Sequence, residues 1–277
     1  MYRLFFSFIV SLVMIASFAQ TADIEVSYLY RHPEQTMRRA EADICNQYIL
    51  LSNGNDSKFY SPKTEYIDSI ESTPEGFESF NTFKRVCYEK RQSELIPRVD
   101  GSFYIVKSFG RKNIRTYDVA SGTRFKWDEP LIEINWEVTD SIKNILGYEC
   151  FMAHTDFHGR KWTVWFTPEI PVNDGPWKLH GLPGLILEAV CEGGQYHFVA
   201  DGVQYAKTPY YKIYSEDNWE IISGSDFWNL RRSCLDNPSR NMTSSANIIV
   251  YNGISYKKYL PKEIVDYIET DYIVHDS

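Results

Sequence analysis

Short strand-like segments separated by turns fill the middle of this 277-residue chain and limit its fold more than any other feature. Apolar and polar residues alternate within the segments, and they are rich in Tyr, Trp and Phe, whose flat rings pack well on a pleated sheet. Gly- and Asp-containing turns recur at roughly the 8–12-residue spacing of a sheet, sandwich or barrel. The pattern predicts a mainly β protein with an antiparallel, strongly curved sheet or open half-barrel and a few short helices.

The turn positions define the predicted elements. Ser61 and Pro62 are the residue types favoured at a helix N-cap and first helical position. Ser225 indicates a second helix that ends before Pro238, and Pro261 indicates a third. We expect the helices to cover the concave side of the sheet and to leave a cavity for an apolar ligand. The predicted strands span residues 24–30, 44–51, 103–109, 114–119, 123–127, 132–138, 148–157, 161–167, 185–191 and 196–203.

A segment rich in proline and glycine, residues 167–186, interrupts the strand pattern. Its four prolines exclude an interior strand or helix, because proline has no N–H and a fixed φ. Within it, Leu182, Pro183, Gly184 and Leu185 fit a type II turn, with positive φ at Gly184. A long loop inside a compact domain is usually functional or packed down on the core.

Three blocks in this region resemble the GLPGLI family of exported proteins, found mainly in Bacteroidetes. They read WFTPEIP at 165–171, GPWK at 175–178 and GLPGLI at 181–186. The resemblance implies export and a Bacteroidetes source, and it brings no established activity, cofactor or catalytic residue. We interpret the block residues as a structural loop, with ligand or partner binding as the alternative. They are Gly175, Pro176, Trp177, Gly181, Leu182, Pro183, Gly184, Leu185 and Ile186.

The N-terminus has the features of a secretory signal peptide. Residues 4–16 are almost entirely apolar, and Ser17 and Ala19 are the small residues expected before a cleavage site. We predict cleavage after Ala19, a single mature domain over 20–277, and no later transmembrane helix. The expected location is the periplasm or the outer membrane, with secretion as a further possibility.

Charge and cysteines restrict the partners. The net charge of −8 and the absence of a basic stripe argue against nucleic acid, which leaves an envelope protein or an apolar ligand. The cysteines could form disulfides in an oxidising compartment, but their pairing is open, and we expect at least one free, buried thiol. They are Cys45, Cys87, Cys150, Cys191 and Cys234.

A row of potential metal ligands occupies every second position from Cys150 to His158. On a continuous strand Cys150, Met152, His154 and Asp156 share one face, and such donors suit copper or zinc. Neighbours in the row lie about 6.6 Å apart, so His154 and Asp156 are able to bind one ion. His154 and His158 lie about 13 Å apart unless the strand ends earlier. The alternative is an ordinary half-exposed strand with a histidine in the following turn.

The loop also holds groups for acid–base chemistry, namely Glu169, Asp174 and His180. No familiar hydrolase, phosphate-loop or zinc-protein motif accompanies them. We therefore expect a non-enzymatic envelope protein that binds a ligand or a protein partner. A copper- or zinc-binding protein that uses the Cys150–His158 face, and a hydrolase of unrecognised type, are the alternatives.

Overall fold

The computed structural model describes residues 21–32, 46–97, 103–120, 122–205, 208–209, 213–236 and 268–271. The predicted signal peptide, Cys45 and the start of the helix predicted at Pro261 lie outside these residues. Among the described residues, no helix combines the length and the apolar character needed to cross a membrane.

The described residues form fourteen strands and three α-helices. The helices are α1 (Pro62–Glu71), α2 (Pro74–Glu89) and α3 (Gly224–Asp236), and short 3-10 turns cover Ser93–Leu95 and Glu216–Asn218. The strands are β1 (Thr21–Ala22), β2 (Ile24–Arg31), β3 (Asn46–Ser52), β4 (Asp56–Tyr60), β5 (Tyr104–Ser108), β6 (Asn113–Ala120), β7 (Thr123–Pro130), β8 (Glu137–Ile145), β9 (Tyr148–Phe157), β10 (Arg160–Thr167), β11 (Leu185–Cys191), β12 (His197–Gln204), β13 (Thr208–Pro209) and β14 (Glu220–Ile221).

Twelve of these strands form one sheet in the order β14-β7-β6-β5-β4-β3-β2-β12-β11-β10-β9-β8. It consists of two antiparallel meanders, β2–β7 and β8–β12, joined where β12 pairs with β2. β14 adds to β7 in parallel, and β1 pairs separately with β13. The sheet is curled but does not close into a barrel, so the predicted mainly β fold is confirmed.

The strands form because their apolar residues alternate and bury one face. In β2 the side chains of Ile24, Val26, Tyr28 and Tyr30 are all buried, and the residues between them are more exposed. Aromatic rings then join neighbouring strands, as where Tyr30 stacks on Phe198 of β12 with centroids 4.3 Å apart. Such stacked rings strengthen the sheet beyond their buried area.

Two-residue turns fix the register of the β8–β9 and β9–β10 hairpins. Leu146 and Gly147 have φ values of 54° and 89°, and His158 and Gly159 have 50° and 72°. Two consecutive positive φ values are the geometry of the type I′ turn, which matches the twist of the flanking strands. The β9 strand therefore ends before His158, which lies in the turn.

The helix signals were partly correct. Ser61 caps α1 with its hydroxyl 3.4 Å from the Thr64 N–H, as predicted. For α3 the predicted cap is wrong, because Ser223, not Ser225, accepts the Asp226 N–H at 3.1 Å. The sequence analysis missed α2, although Thr73 and Pro74 carry the same start signal as Ser61 and Pro62.

Two predictions around the proline-rich segment need correction. Residues 131–136 do not join the sheet, and the strand predicted over 132–138 begins only at Glu137. The type II turn is also wrong, because Gly184 has a φ of 156°, whereas that turn requires about 80°. Instead, the Gly184 N–H donates to the Leu182 carbonyl at 2.8 Å, which closes a tighter turn around Pro183.

Gly184 is required by close packing. A Cβ atom at this position would lie 2.1 Å from the Thr167 carbonyl oxygen and 2.6 Å from its carbon. Because both are backbone atoms, they cannot move aside as a flexible side chain would.

We expect Gly184→Ala to lower the free energy of unfolding by roughly 1–3 kcal/mol, the usual cost of overpacking. Gly110→Ala is the matched control, since no atom lies within 4 Å of its Cβ position, and it should change stability by about 1 kcal/mol or less. Urea denaturation of both variants measures the difference, and equal midpoints would contradict the steric explanation.

Candidate functional site

The loop between β10 and β11, residues 168–184, is packed into the protein and is called the plug loop here. Trp177, Leu179 and Leu182 are buried in the same apolar cluster as residues of β2, β7 and β9–β12. Of the nine loop and adjoining residues named from the sequence, only Gly181 and Pro183 are exposed. The segment therefore fills the inside of the curled sheet.

Lys107 of β5 holds the plug loop by its backbone. Its buried ammonium donates to the carbonyls of Gly175 at 2.8 Å, Trp177 at 3.0 Å and Leu179 at 3.3 Å. It also forms an ion pair with Asp174. Burial lowers the pKa of Lys107, and the Asp174 carboxylate opposes this shift. One ammonium group thus holds three alternate carbonyls of an otherwise irregular segment.

A second buried lysine, Lys178, lies at the centre of a charged cluster. Its ammonium is 2.7 Å from Glu129 Oε1 at the end of β7 and 2.6 Å from Glu269 Oε1. Burial disfavours the charge on Lys178, yet Glu269 and Glu129 outweigh burial and raise its pKa. The cluster therefore joins the plug loop, one end of the sheet and the segment 268–271 through buried charges.

Residues 268–271 attach to the β9–β10 turn by several hydrogen bonds. The Thr270 N–H donates to the His158 carbonyl at 3.1 Å, and Arg160 Nε donates to the Ile268 carbonyl at 3.2 Å. His158 Nδ1 lies 2.9 Å from Asp271 Oδ2. The turn is thereby fixed beside the charged cluster.

In the described part of the chain, Glu129, His158 and Glu269 are the one group of three potential metal ligands with ligand atoms within 4.8 Å of one another. A histidine beside two carboxylates is also a combination that serves acid–base chemistry in some enzymes. The Lys178 ammonium, however, already lies against both carboxylates and compensates one of their two charges. The contacts favour a structural role for the cluster.

The predicted metal row is not gathered into such a group. Cys150 is fully buried, and burial raises the pKa of its thiol to about 11. His154 Nδ1 lies 3.0 Å from Thr163 Oγ1 on β10, while Met152 is half-buried and Asp156 is exposed. The residues alternate along β9 as predicted, but Cys150 is separated from solvent.

The predicted acid–base group is only partly brought together. Asp174 and His180 form an isolated antiparallel bridge, whereas Glu169 is exposed and accepts the Glu149 N–H at 2.8 Å. Both ring nitrogens of His180 face backbone carbonyls, those of Lys178 and Ile132. Burial lowers the pKa of His180. The ring contacts of His180 join the plug loop to residue 132.

An open groove of about 810 Å³ lies between residues 132–137 and the ends of β9, β10 and β11. Residues 132–135 and Glu137 form one wall, and β9, β10 and the end of β11 form the rest. The groove exists because residues 131–136 leave the ladder, so that β9 loses its neighbour beyond His154. Its charged lining residues are Glu133, Glu137, His154, Asp156, Lys161 and Glu192.

No described residue pairs with the charged groups of the groove, His154 aside. Within the described ranges, the side chains of Glu133, Glu137, Asp156, Glu192 and Lys161 make no hydrogen bond or ion pair. Four carboxylates face a single lysine, so the groove carries a net negative charge. The sequence analysis identified His154 and Asp156 but missed the glutamates, because only the cross-strand register places Glu137 opposite His154.

Three cysteines of the described chain, Cys87, Cys150 and Cys191, are free and buried. The prediction of at least one free, buried thiol is therefore confirmed. Cys191 lines the groove, where its sulfur accepts the Tyr196 N–H at 3.3 Å.

Comparison with known protein families finds a match to the central part of the chain. A family model described as "Protein of unknown function (Porph_ging)" matches residues 156–188, which include β10 and the plug loop. No curated protein matches the chain significantly.

A solved structure of PNGF-II in space group P21 shares the fold, with a TM-score of 0.50 and a sequence identity of 16%. A second PNGF-II structure, in space group C2, has a TM-score of 0.49 and a sequence identity of 14%. Each match covers 77% of this chain and 33% of the PNGF-II chain. The chain thus corresponds to about a third of that protein, and at this identity the likeness concerns the fold alone.

We expect Lys178→Met to lower the free energy of unfolding by about 3–5 kcal/mol, because it leaves two carboxylates facing each other without their cation. Lys161→Met is the control, since Lys161 is exposed and has no partner among the described residues. It should change stability by about 0.5 kcal/mol or less. Thermal and urea unfolding measure both, and a similar small effect in both variants would show that the cluster contributes little.

We expect Cys150 to react slowly with iodoacetamide at pH 8. A pKa of about 11 instead of 9.0 reduces the thiolate fraction about 100-fold, and burial restricts access further. Peptide mapping by mass spectrometry measures the rate at Cys150 in native and guanidine-unfolded protein. Equal rates in the two states would show that the thiol is accessible, which would return Cys150 to the candidate metal ligands.

Proposed function

We propose that the chain is an exported cell-envelope protein of GLPGLI type that binds a positively charged ligand or partner in the groove, without chemical conversion. The apolar N-terminal segment supports export. The position of the GLPGLI sequence at 181–186, inside the family match at 156–188, supports the family assignment. The charge of the groove supports the binding function, and this observation carries the proposal.

The groove is suited to cations because no residue in the described part of the chain pairs with its carboxylates. A cation about 4 Å from a carboxylate gains roughly 4 kcal/mol at the effective dielectric constant of a protein surface, compared with about 1 kcal/mol in bulk water. A ligand that meets several of these carboxylates at once would gain correspondingly more, and salt would weaken its binding.

An apolar ligand inside the curled sheet receives less support. The plug loop fills that space with Trp177, Leu179 and Leu182, and two buried lysines attach it there. A partner that needs this space would have to displace them.

Binding without catalysis is favoured by the surroundings of His154. Its Nδ1 lies against the Thr163 hydroxyl, and the histidine–carboxylate contacts of the described chain lie elsewhere, at His158 beside the charged cluster and between His197 and Glu188. The groove therefore presents charge and shape but no histidine paired with a carboxylate among the described residues.

A fluorescent ten-residue lysine peptide tests the proposal by anisotropy at low salt. We expect it to bind the wild-type protein, and the double variant Glu133→Gln, Glu137→Gln to bind at least about tenfold more weakly, the equivalent of about 1.4 kcal/mol. Glu75→Gln, Glu78→Gln is the matched control, because it removes the same charge from exposed positions on α2. Equal losses in both double variants, or no binding by the wild type, would refute the groove as the site.

A further inference from the structure

We propose that the partner is an extended polypeptide segment with apolar and basic residues, which pairs as an added strand along β8 and places its basic residues in the groove. This inference rests on the proposed function, because β8 begins at Glu137 in the wall of the groove. It adds the chemical class of the partner and the way in which the partner is recognised.

The first argument is that β8 is an open edge. Among the described strands it is the last of the sheet, and it pairs only with β9. The opposite edge is β14, a strand of two residues, whereas β8 has nine. An edge of this length offers a row of backbone donors and acceptors, which is the template for strand addition.

The hairpin geometry shows which backbone N–H and C=O groups of β8 are available to pair with an added strand. Ile145 pairs with Tyr148 across the two-residue Leu146-Gly147 turn, so those two residues exchange hydrogen bonds. Because the direction of the backbone groups alternates along a strand, the N–H and C=O of Ile142 and Asn144 point away from β9. A partner strand thus meets four backbone groups in regular spacing.

The second argument is the apolar surface along the same edge. Val138 and Ile142 are each 55% exposed and Leu146 is 46% exposed, although β-branched and leucine side chains gain from burial. Ile132, in the groove wall, is 53% exposed. An added strand with apolar side chains at alternate positions would cover this row.

Charge decides what kind of strand fits. Glu133, Glu137 and Asp140 follow one another along the wall and the edge, and no described residue pairs with their carboxylates. Lys143 is already engaged, in an ion pair with Glu188 and over the ring of Trp165. The partner strand is therefore basic, and a second copy of this edge would bring the same acidic residues together.

A bulge divides the edge into two parts. The register shifts between Val138 and Ile142, and the Ser141 N–H turns back to the Thr139 hydroxyl at 3.3 Å. Bulges of this kind limit indiscriminate edge pairing. The regular part at Ile142–Ile145 is left for backbone pairing, and the part before the bulge opens into the groove, where basic side chains meet the carboxylates.

The test compares two fluorescent twelve-residue peptides of alternating valine and lysine, one with ordinary amides and one N-methylated at every second residue. N-methylation removes backbone donors and keeps charge and side chains. We expect the ordinary peptide to bind and the methylated peptide to bind at least tenfold more weakly. Binding of the ten-residue lysine peptide, which tests the groove, is measured in parallel.

Protein variants provide the second readout. Ile142→Pro removes the N–H that points to the free edge, a position where edge strands tolerate proline, and should reduce binding of the ordinary peptide at least tenfold. Ile142→Thr keeps the N–H and controls for the side chain, and should retain most of the backbone-dependent binding. Circular dichroism checks that both variants fold. If Ile142→Pro does not fold, the comparison of the ordinary and N-methylated peptides on the wild-type protein decides whether binding depends on backbone pairing.

The outcomes separate the two proposals. Equal binding of both valine–lysine peptides, with the lysine peptide still bound in the groove, would overturn strand addition and leave the groove function standing. Failure of all three peptides would overturn both. A dimer that forms in sedimentation analysis and is lost in Ile142→Pro would also overturn the inference, because a second copy would then occupy the edge.

Discussion

The buried ammonium of Lys178 is the contact on which the rest of the arrangement depends. It brings together Glu129 from one end of the sheet, the plug loop that carries the lysine, and Glu269 from a distant part of the chain. A buried charge is tolerated only when it is paired, and removing one member exposes the others to the full desolvation cost. The curl of the sheet, the position of the loop and the attachment of residues 268–271 are therefore mutually dependent.

The plug loop explains why the candidate binding site is the groove and not the inside of the curled sheet. The plug loop occupies the space in which other curved sheets hold ligands, and Lys107 fixes its backbone at three carbonyls. The family match at 156–188 covers the loop and Lys178, but not Glu133 or Glu137 of the groove wall. The part of the chain shared with the family is thus mainly the part that builds the interior.

Local signals in the sequence predicted most of the strands, because alternation and turn residues act over a few positions, as at the His158-Gly159 turn. They did not predict the charged cluster, because nothing local relates Glu129 to Lys178 or Glu269. Nor did they predict the groove, which depends on residues 131–136 leaving the ladder. This segment bonds to the plug loop instead, where Trp136 Nε1 donates to the His180 carbonyl and His180 Nε2 contacts the Ile132 carbonyl. Contacts between distant segments depend on the assembled fold. The alternation of apolar and polar residues along the sequence does not indicate them.

The attachment of residues 268–271 has a consequence for the order of assembly. Glu269 is synthesised long after Lys178, so a growing chain holds a lysine whose second carboxylate partner is not yet present. Until Glu269 joins, the buried charges of the cluster are only partly paired. The interior contacts of the plug loop are therefore completed only when residues 268–271 attach to the β9–β10 turn.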